Sequence, residues 1–135
     1  MKLLRNTGSD RVVDLLNREL IPGRTLDVVT PLFSLFGFAA LRSAMTSIGK
    51  TRMILPSAGT DLMLLGETAD RAARNRLQMR WLAQKCEAWL RDCVDLRLST
   101  GPVPQGTVAI RDATGAPQRV IHGAVSLTTA GLGVT

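Results

Sequence analysis

Two hydrophobic periodicities alternate along this chain, and glycine or proline separates one from the next. Val12, Val13, Leu15, Leu16 and Leu20 recur at helical spacing in Arg11–Leu20, which Ser9 or Asp10 can cap and Ile21-Pro22-Gly23 ends. Thr25–Thr30, rich in β-branched residues, follows as a strand, and Pro31 opens a Leu- and Phe-rich helix to about Ile48. Beyond Gly49-Lys50, Thr51–Leu55 reads as a second strand closed by Pro56, and Asp61–Leu65 as a short third. The longest helix runs from about Glu67 to Asp92. Strands at Val94–Leu98, Thr107–Arg111 and Arg119–Leu127 follow, the last two joined by the turn-forming Asp112-Ala113-Thr114-Gly115-Ala116-Pro117. This alternation, ending in a hairpin, predicts an α/β layered domain with a mixed β-sheet flanked by helices. The 135 residues form one domain, 1–135, without internal repeat, low-complexity tract or linker.

On the long helix, Met79, Leu82, Cys86, Trp89, Leu90 and Cys93 share an arc of about 100°, the side expected to meet the core. Cys86 and Cys93 thus share a face but lie about 10.5 Å apart along the axis, too far for a disulfide. Two thiols without a nearby histidine make a poor zinc site, so both read as small core residues. Trp89 belongs to the apolar arc. Trp81 lies at its edge and reads as a packing residue, with stacking or an interface as the alternative. Phe33, Phe36 and Phe38 mark the second helix as buried, an oligomer interface being the alternative.

Seventeen Lys and Arg against eleven Asp and Glu leave a net charge of +6, which favours a polyanionic partner such as nucleic acid. Only Lys2, Lys50 and Lys85 are lysines. The arginine excess suits phosphate forks, though a GC-rich genome produces the same bias. Arg71, Arg74, Arg76 and Arg80 are the densest positive feature and the candidate nucleic-acid-binding residues, with Arg42, Arg52 and Arg91 elsewhere. At about 0°, 300°, 140° and 180° around the helix, the four spread over two flanks rather than one ridge.

Several chemistries are excluded. One histidine, His122, rules out multi-histidine metal centres and two-histidine mechanisms within one chain. Neither G-x-x-x-x-G-K-[ST] nor G-x-G-x-x-G occurs. No carboxylate pair has acid-base spacing, and Asp92 and Asp95 read as a solvated helix-to-strand turn. No metal or cofactor is expected. The apolar run Leu32–Leu41 is about half of what a bilayer needs, and no signal peptide is visible, so the chain reads as soluble and cytoplasmic.

The C-terminal third resembles the phospholipase D superfamily, whose signature is H-x-K, four residues, D, then G-S-x-N after a turn. Gln105-Gly106-Thr107 stands in the H-x-K place, Asp112 in the acidic place and Gly123-Ala124-Val125-Ser126 in the G-S-x-N place, with Thr128 and Gly131-Leu132 continuing the run. Gln105 replaces the nucleophilic histidine, Thr107 the lysine, Ala124 the serine and Ser126 the asparagine. An amide cannot form the phosphoenzyme that imidazole forms, and Thr107 brings no positive charge to the transition state. The resemblance therefore implies a half-site domain that is no longer an enzyme. His122 reads as structural.

The whole chain is also similar to the degenerate phospholipase D-like domain at the N-terminus of bacterial Swi/Snf-type superfamily-two helicases. Leu26–Ser34 and the segments Asn75–Gln78 and Trp81–Ala83 carry that likeness. It implies an accessory domain, excised from or related to a larger protein, that helps a helicase motor in cis or trans bind nucleic acid, DNA first, in DNA processing or phage defence. Gln105, Thr107, Asp112, Ser126 and Thr128 would line the vacated pocket, with Gly123 at the motif's turn. The alternative is a protein-interaction or homodimerisation module without nucleic acid, helped by the apolar Pro31–Leu41 region.

Overall fold

The computed structural model describes residues 2–56 and 76–134, the side chains of 76–78 excepted. The described elements are α1 (Val12–Glu19), β1 (Thr25–Val29), α2 (Leu35–Ser47), β2 (Thr51–Pro56), α3 (Arg76–Cys93), β3 (Val94–Ser99), β4 (Gly106–Arg111), β5 (Pro117–Gly123) and a short α4 (Thr129–Leu132). The strands form one five-stranded mixed sheet in the order β3-β2-β1-β4-β5. β1 pairs in parallel with β2, and β2 with β3, while β4 runs antiparallel to both β1 and β5. The α/β class and the mixed sheet flanked by helices are as the sequence predicts.

Alternation decides which side of the sheet is buried. Leu26 and Val28 of β1, Met53 and Leu55 of β2, and Val108 and Ile110 of β4 share one core with Leu16, Phe38, Leu41, Met45, Leu82, Cys86 and Trp89 of the helices. The described helices touch one another, α1 on α2, α2 on α3, and α4 on both α1 and α2, so they gather on that one face. The opposite face carries Asp27, Val29, Arg52, Ile54, Asp95, Arg97, Thr107, Ala109, Val120 and His122, and no described helix covers it.

The C-terminal segment locks the helical layer. Buried Thr30, at the end of β1, donates its hydroxyl to the Leu32 carbonyl at 2.6 Å and accepts the Leu127 amide at 3.1 Å. Ser34 N donates to the Leu127 carbonyl at 3.0 Å, and the Ser34 hydroxyl accepts from Gly37 N at 3.0 Å, capping α2. α2 thus begins at Leu35 rather than Pro31, because the backbone of 31–34 forms the bridge to Leu127. A Cβ on Gly37 would collide with the Leu127 carbonyl, so the helix can approach only as glycine.

The last strand is shorter than its pattern suggests. β5 ends at Gly123, whose φ of 135° takes the chain out of the sheet. Val125 and Leu127 keep the strand-like alternation yet are buried in the helical layer, not in β5. A glycine inside a strand pattern was the available warning. Thr129–Leu132 form α4, capped by Thr128 accepting from Gly131 N and closed by Gly133 in the left-handed region. At the other end, neither Ser9 nor Asp10 caps α1. Asn6 accepts from Val12 N at 2.9 Å and donates to the Gly131 carbonyl at 2.9 Å, tying the N-terminal segment, α1 and α4 together.

Leu82, Cys86 and Trp89 are buried as the apolar arc of α3 requires, and both cysteines are free thiols. Burial pushes the Cys86 thiol up to about 11, which makes it inert at neutral pH. Phe33 and Phe38 are buried and Phe36 is half-buried, so the Pro31–Leu41 region contributes to the core. Trp81 is a correction, being 47% exposed instead of packed. The strand expected at Asp61–Leu65 and the N-terminal part of the long helix lie outside the described residues.

Gly37→Ala is expected to destabilise the fold by about 1–3 kcal/mol, since the Leu127 backbone it would strike cannot rotate away. Urea unfolding should show a lower midpoint at unchanged slope.

Candidate functional site

The positions in phospholipase D register do not converge. Gln105 precedes β4 and is exposed, while Asp112 follows β4, roughly 20 Å further along an extended chain. The Asp112 carboxylate builds the hairpin turn: it accepts from Thr114 N at 2.9 Å, the Thr114 hydroxyl at 2.6 Å, Ala116 N at 3.0 Å and Gln118 Nε2 at 2.9 Å. The Thr114 hydroxyl first, then the Ala116 amide, hold its pKa below the ordinary carboxylate range.

Ser126 and Thr128 are buried with α4 in the helical layer, their hydroxyls 2.9 Å apart, and Thr128 caps α4. Thr107 lies on the uncovered face instead, its hydroxyl 2.7 Å from Nδ1 of His122 on β5. Gly123 is the turn out of the sheet. The vacated pocket expected from the sequence is therefore absent among the described residues: its lining is divided between a turn, the helical layer and the uncovered face. Thr107 and His122 pair a hydroxyl with an imidazole, but no carboxylate orients the ring among the described residues. That arrangement lacks the third member of an activated nucleophile.

Some cations are held by carboxylates and others are not; Arg5, Arg18 and Lys50, outside the two surfaces below, have no carboxylate within 4.0 Å among the described residues. On the uncovered face, Arg52 grips Asp27 through two hydrogen bonds of 2.7 and 2.6 Å, and Arg111 Nε reaches the same carboxylate at 2.8 Å. Arg97 pairs with Asp95 at 3.2 Å. A phosphate arriving here competes with carboxylates already in charge-assisted bonds. Glu19 likewise holds Arg24 at 2.8 Å and Arg119 at 3.3 Å.

The helical surface over α2 and α3 differs. Arg42, Arg80 and Lys85 have no carboxylate within 4.0 Å among the described residues. The Arg42 guanidinium lies 4.7 Å from the centre of the Trp81 ring and Lys85 Nζ lies 5.9 Å from it. Trp81 and Lys85 are four apart on α3, hence on one side of it. Arg42 comes from α2. Beside them a shallow groove of about 210 Å³ has Phe38, Ala88 and Trp89 in its floor, with Arg42, Lys85 and Asp92 at its rim. Asp92 is engaged by Arg91 at 3.2 Å.

Of the four arginines expected to bind nucleic acid, Arg71 and Arg74 lie outside the described residues. Arg76 begins α3, and Arg80 is exposed one residue before Trp81. Sequence reading missed Arg42 and Lys85 as a pair. The i, i+4 spacing of Trp81 and Lys85 was a usable signal; the approach of Arg42 was not.

Among the described residues no group of three or more His, Cys, Asp or Glu could hold a metal ion, and no helix is long and apolar enough to cross a membrane. No family model, no curated protein and no solved structure matches this chain.

Arg52, then Arg111, keep the Asp27 carboxyl below its ordinary value of 3.8, as Arg24 chiefly does for Glu19 below 4.5. Both carboxyls are depressed on folding, so their contribution is fully present above those ordinary values and is lost as pH falls through the lower folded ones. Urea midpoints should therefore drop on acidification below about pH 4. Asp27→Asn is expected to lower stability at neutral pH and to flatten that acid limb.

Proposed function

We propose that this domain is a non-catalytic accessory module that binds nucleic acid through the α2–α3 surface, gripping phosphates without cutting them. The observation that carries the reading is the difference in pairing between the sheet-face cations and the cluster on α2 and α3. The cations of the uncovered sheet face are tied to Asp27 and Asp95, whereas Arg42, Arg80 and Lys85 have no carboxylate partner among the described residues. Unpaired cations can exchange condensed counterions for phosphates, which yields sequence-independent, salt-sensitive binding. The absence of activity follows from chemistry, since Gln105 cannot be a phosphoryl nucleophile and Thr107 carries no charge.

A phospholipase D-like half-site ancestry and service to a DNA-processing or phage-defence helicase belong to the same proposal. They rest on the register of Gln105, Thr107, Asp112, Gly123 and Ser126 and on the helicase-domain likeness. One observation favours a second reading, self-association or docking of a protein. Ile54 and Val120 are 38% and 60% exposed on the uncovered face, where a partner sheet or helix would bury them.

Fluorescence anisotropy with short DNA across a salt series separates the two. Nucleic-acid binding predicts Kd values of about 1–100 μM at physiological salt and a falling log K–log salt line. Replacing Arg42, Arg80 and Lys85 by Gln should flatten that slope by about 1 for each phosphate no longer neutralised. A stable dimer by light scattering with no DNA retention would instead favour the protein-docking reading.

A further inference from the structure

Trp81 is the largest exposed apolar side chain among the described residues. A tryptophan costs considerable free energy to leave in water, and α3 has a buried arc nearby that takes Trp89, at 3% exposure, but leaves Trp81 at 47%. Two cations from different helices lie over the ring, Arg42 at 4.7 Å and Lys85 at 5.9 Å from its centre. Cation–π attraction fixes its orientation without burying it. The adjoining groove has an aromatic and apolar floor, Phe38 and Trp89, lying 5.2 Å apart between centroids.

A flat ring 47% exposed, cations over it and an apolar trough beside it match an unpaired nucleobase with its phosphates. A base stacks on the free part of the indole, the phosphates before and after it reach Arg42 and Lys85, and the trough accepts the neighbouring sugar or base. Duplex DNA cannot do this, because its bases are already stacked on one another and it presents phosphates alone.

Resting on the nucleic-acid reading above, we infer that Trp81, flanked by Arg42 and Lys85, is a stacking platform that selects single-stranded over double-stranded nucleic acid. The strand is read by shape and charge, so base identity matters little.

The test uses the full chain and two probes of equal phosphate count, oligothymidylate and a mixed-sequence duplex, with oligouridylate run in parallel to distinguish a DNA from an RNA strand. Trp81→Ala is expected to weaken oligothymidylate binding about 5- to 150-fold while leaving duplex binding within about twofold. Trp81→Phe should restore most of the loss. The wild-type protein should also show fluorescence quenching by oligothymidylate that disappears in Trp81→Ala, where only buried Trp89 remains. Unchanged circular dichroism and thermal midpoint in both variants exclude a folding defect, as exposure of the ring predicts.

If single strand and duplex bind alike and Trp81→Ala binds both like wild type, the platform is refuted while salt-dependent nucleic-acid binding stands. If neither probe binds at about 50 mM salt, where phosphate contacts are strong, both the platform and the nucleic-acid reading fail together.

Discussion

The helical layer of this protein depends on the close passage of residues 125–128 against the start of α2. Thr30, Ser34 and Gly37 each give something to it: a hydroxyl, an amide and the space left by a missing side chain. These bonds are buried, where an unmade hydrogen bond costs about 1–3 kcal/mol, so the segment cannot drift without leaving several polar groups unsatisfied at once. Because Thr30 directly follows β1, the central strand, that passage also ties the start of α2 to the sheet. α4 then seats on α1 and α2, and Asn6 closes the ring by bonding both α1 and the Gly131 carbonyl.

The same passage explains why a motif that reads well in sequence does not become a site. Ser126 and Thr128 are drawn inward to bond each other and to cap α4, and Gly123 is used to leave the sheet. Asp112 accepts four hydrogen bonds, three from its own turn and one from Gln118 of β5. Polar residues at those positions serve backbone satisfaction, which is the commoner use of Ser, Thr and Asp near turns and caps. What remains outward is charge, and Arg42, Arg80 and Lys85 on the helices carry theirs without a carboxylate partner among the described residues.

Much of the architecture was legible. β1, β2, β3 and β4 lie within a residue or so of their sequence-derived limits, because their period-two patterns are bounded by Pro22-Gly23, Gly49-Lys50 and the junction after Cys93. The apolar arc of α3 was equally clear, with Leu82, Cys86 and Trp89 buried. Failures occurred where an amphiphilic pattern ran across a change of direction. Val125 and Leu127 continue the alternation of β5 but belong to another layer, and Pro31 lies before α2 rather than in it. Trp81 departs from its expected packing because a helical wheel places a residue at the edge of an arc without knowing where the neighbouring helix ends.

Sequence by itself determined the periodicities, the excess of positive charge and the presence of a glutamine at 105 and a threonine at 107, since these are properties of single residues and of their spacing along one element. Tertiary structure alone decided which cations are paired across elements. Arg52 and Arg111 meet Asp27 only because β2 and β4 flank β1 in register, and Arg42 meets Trp81 only because α2 packs on α3. Ion pairing and ring contacts reach a few ångströms, so partners from different elements are chosen by packing between segments distant in the chain, which local sequence does not encode.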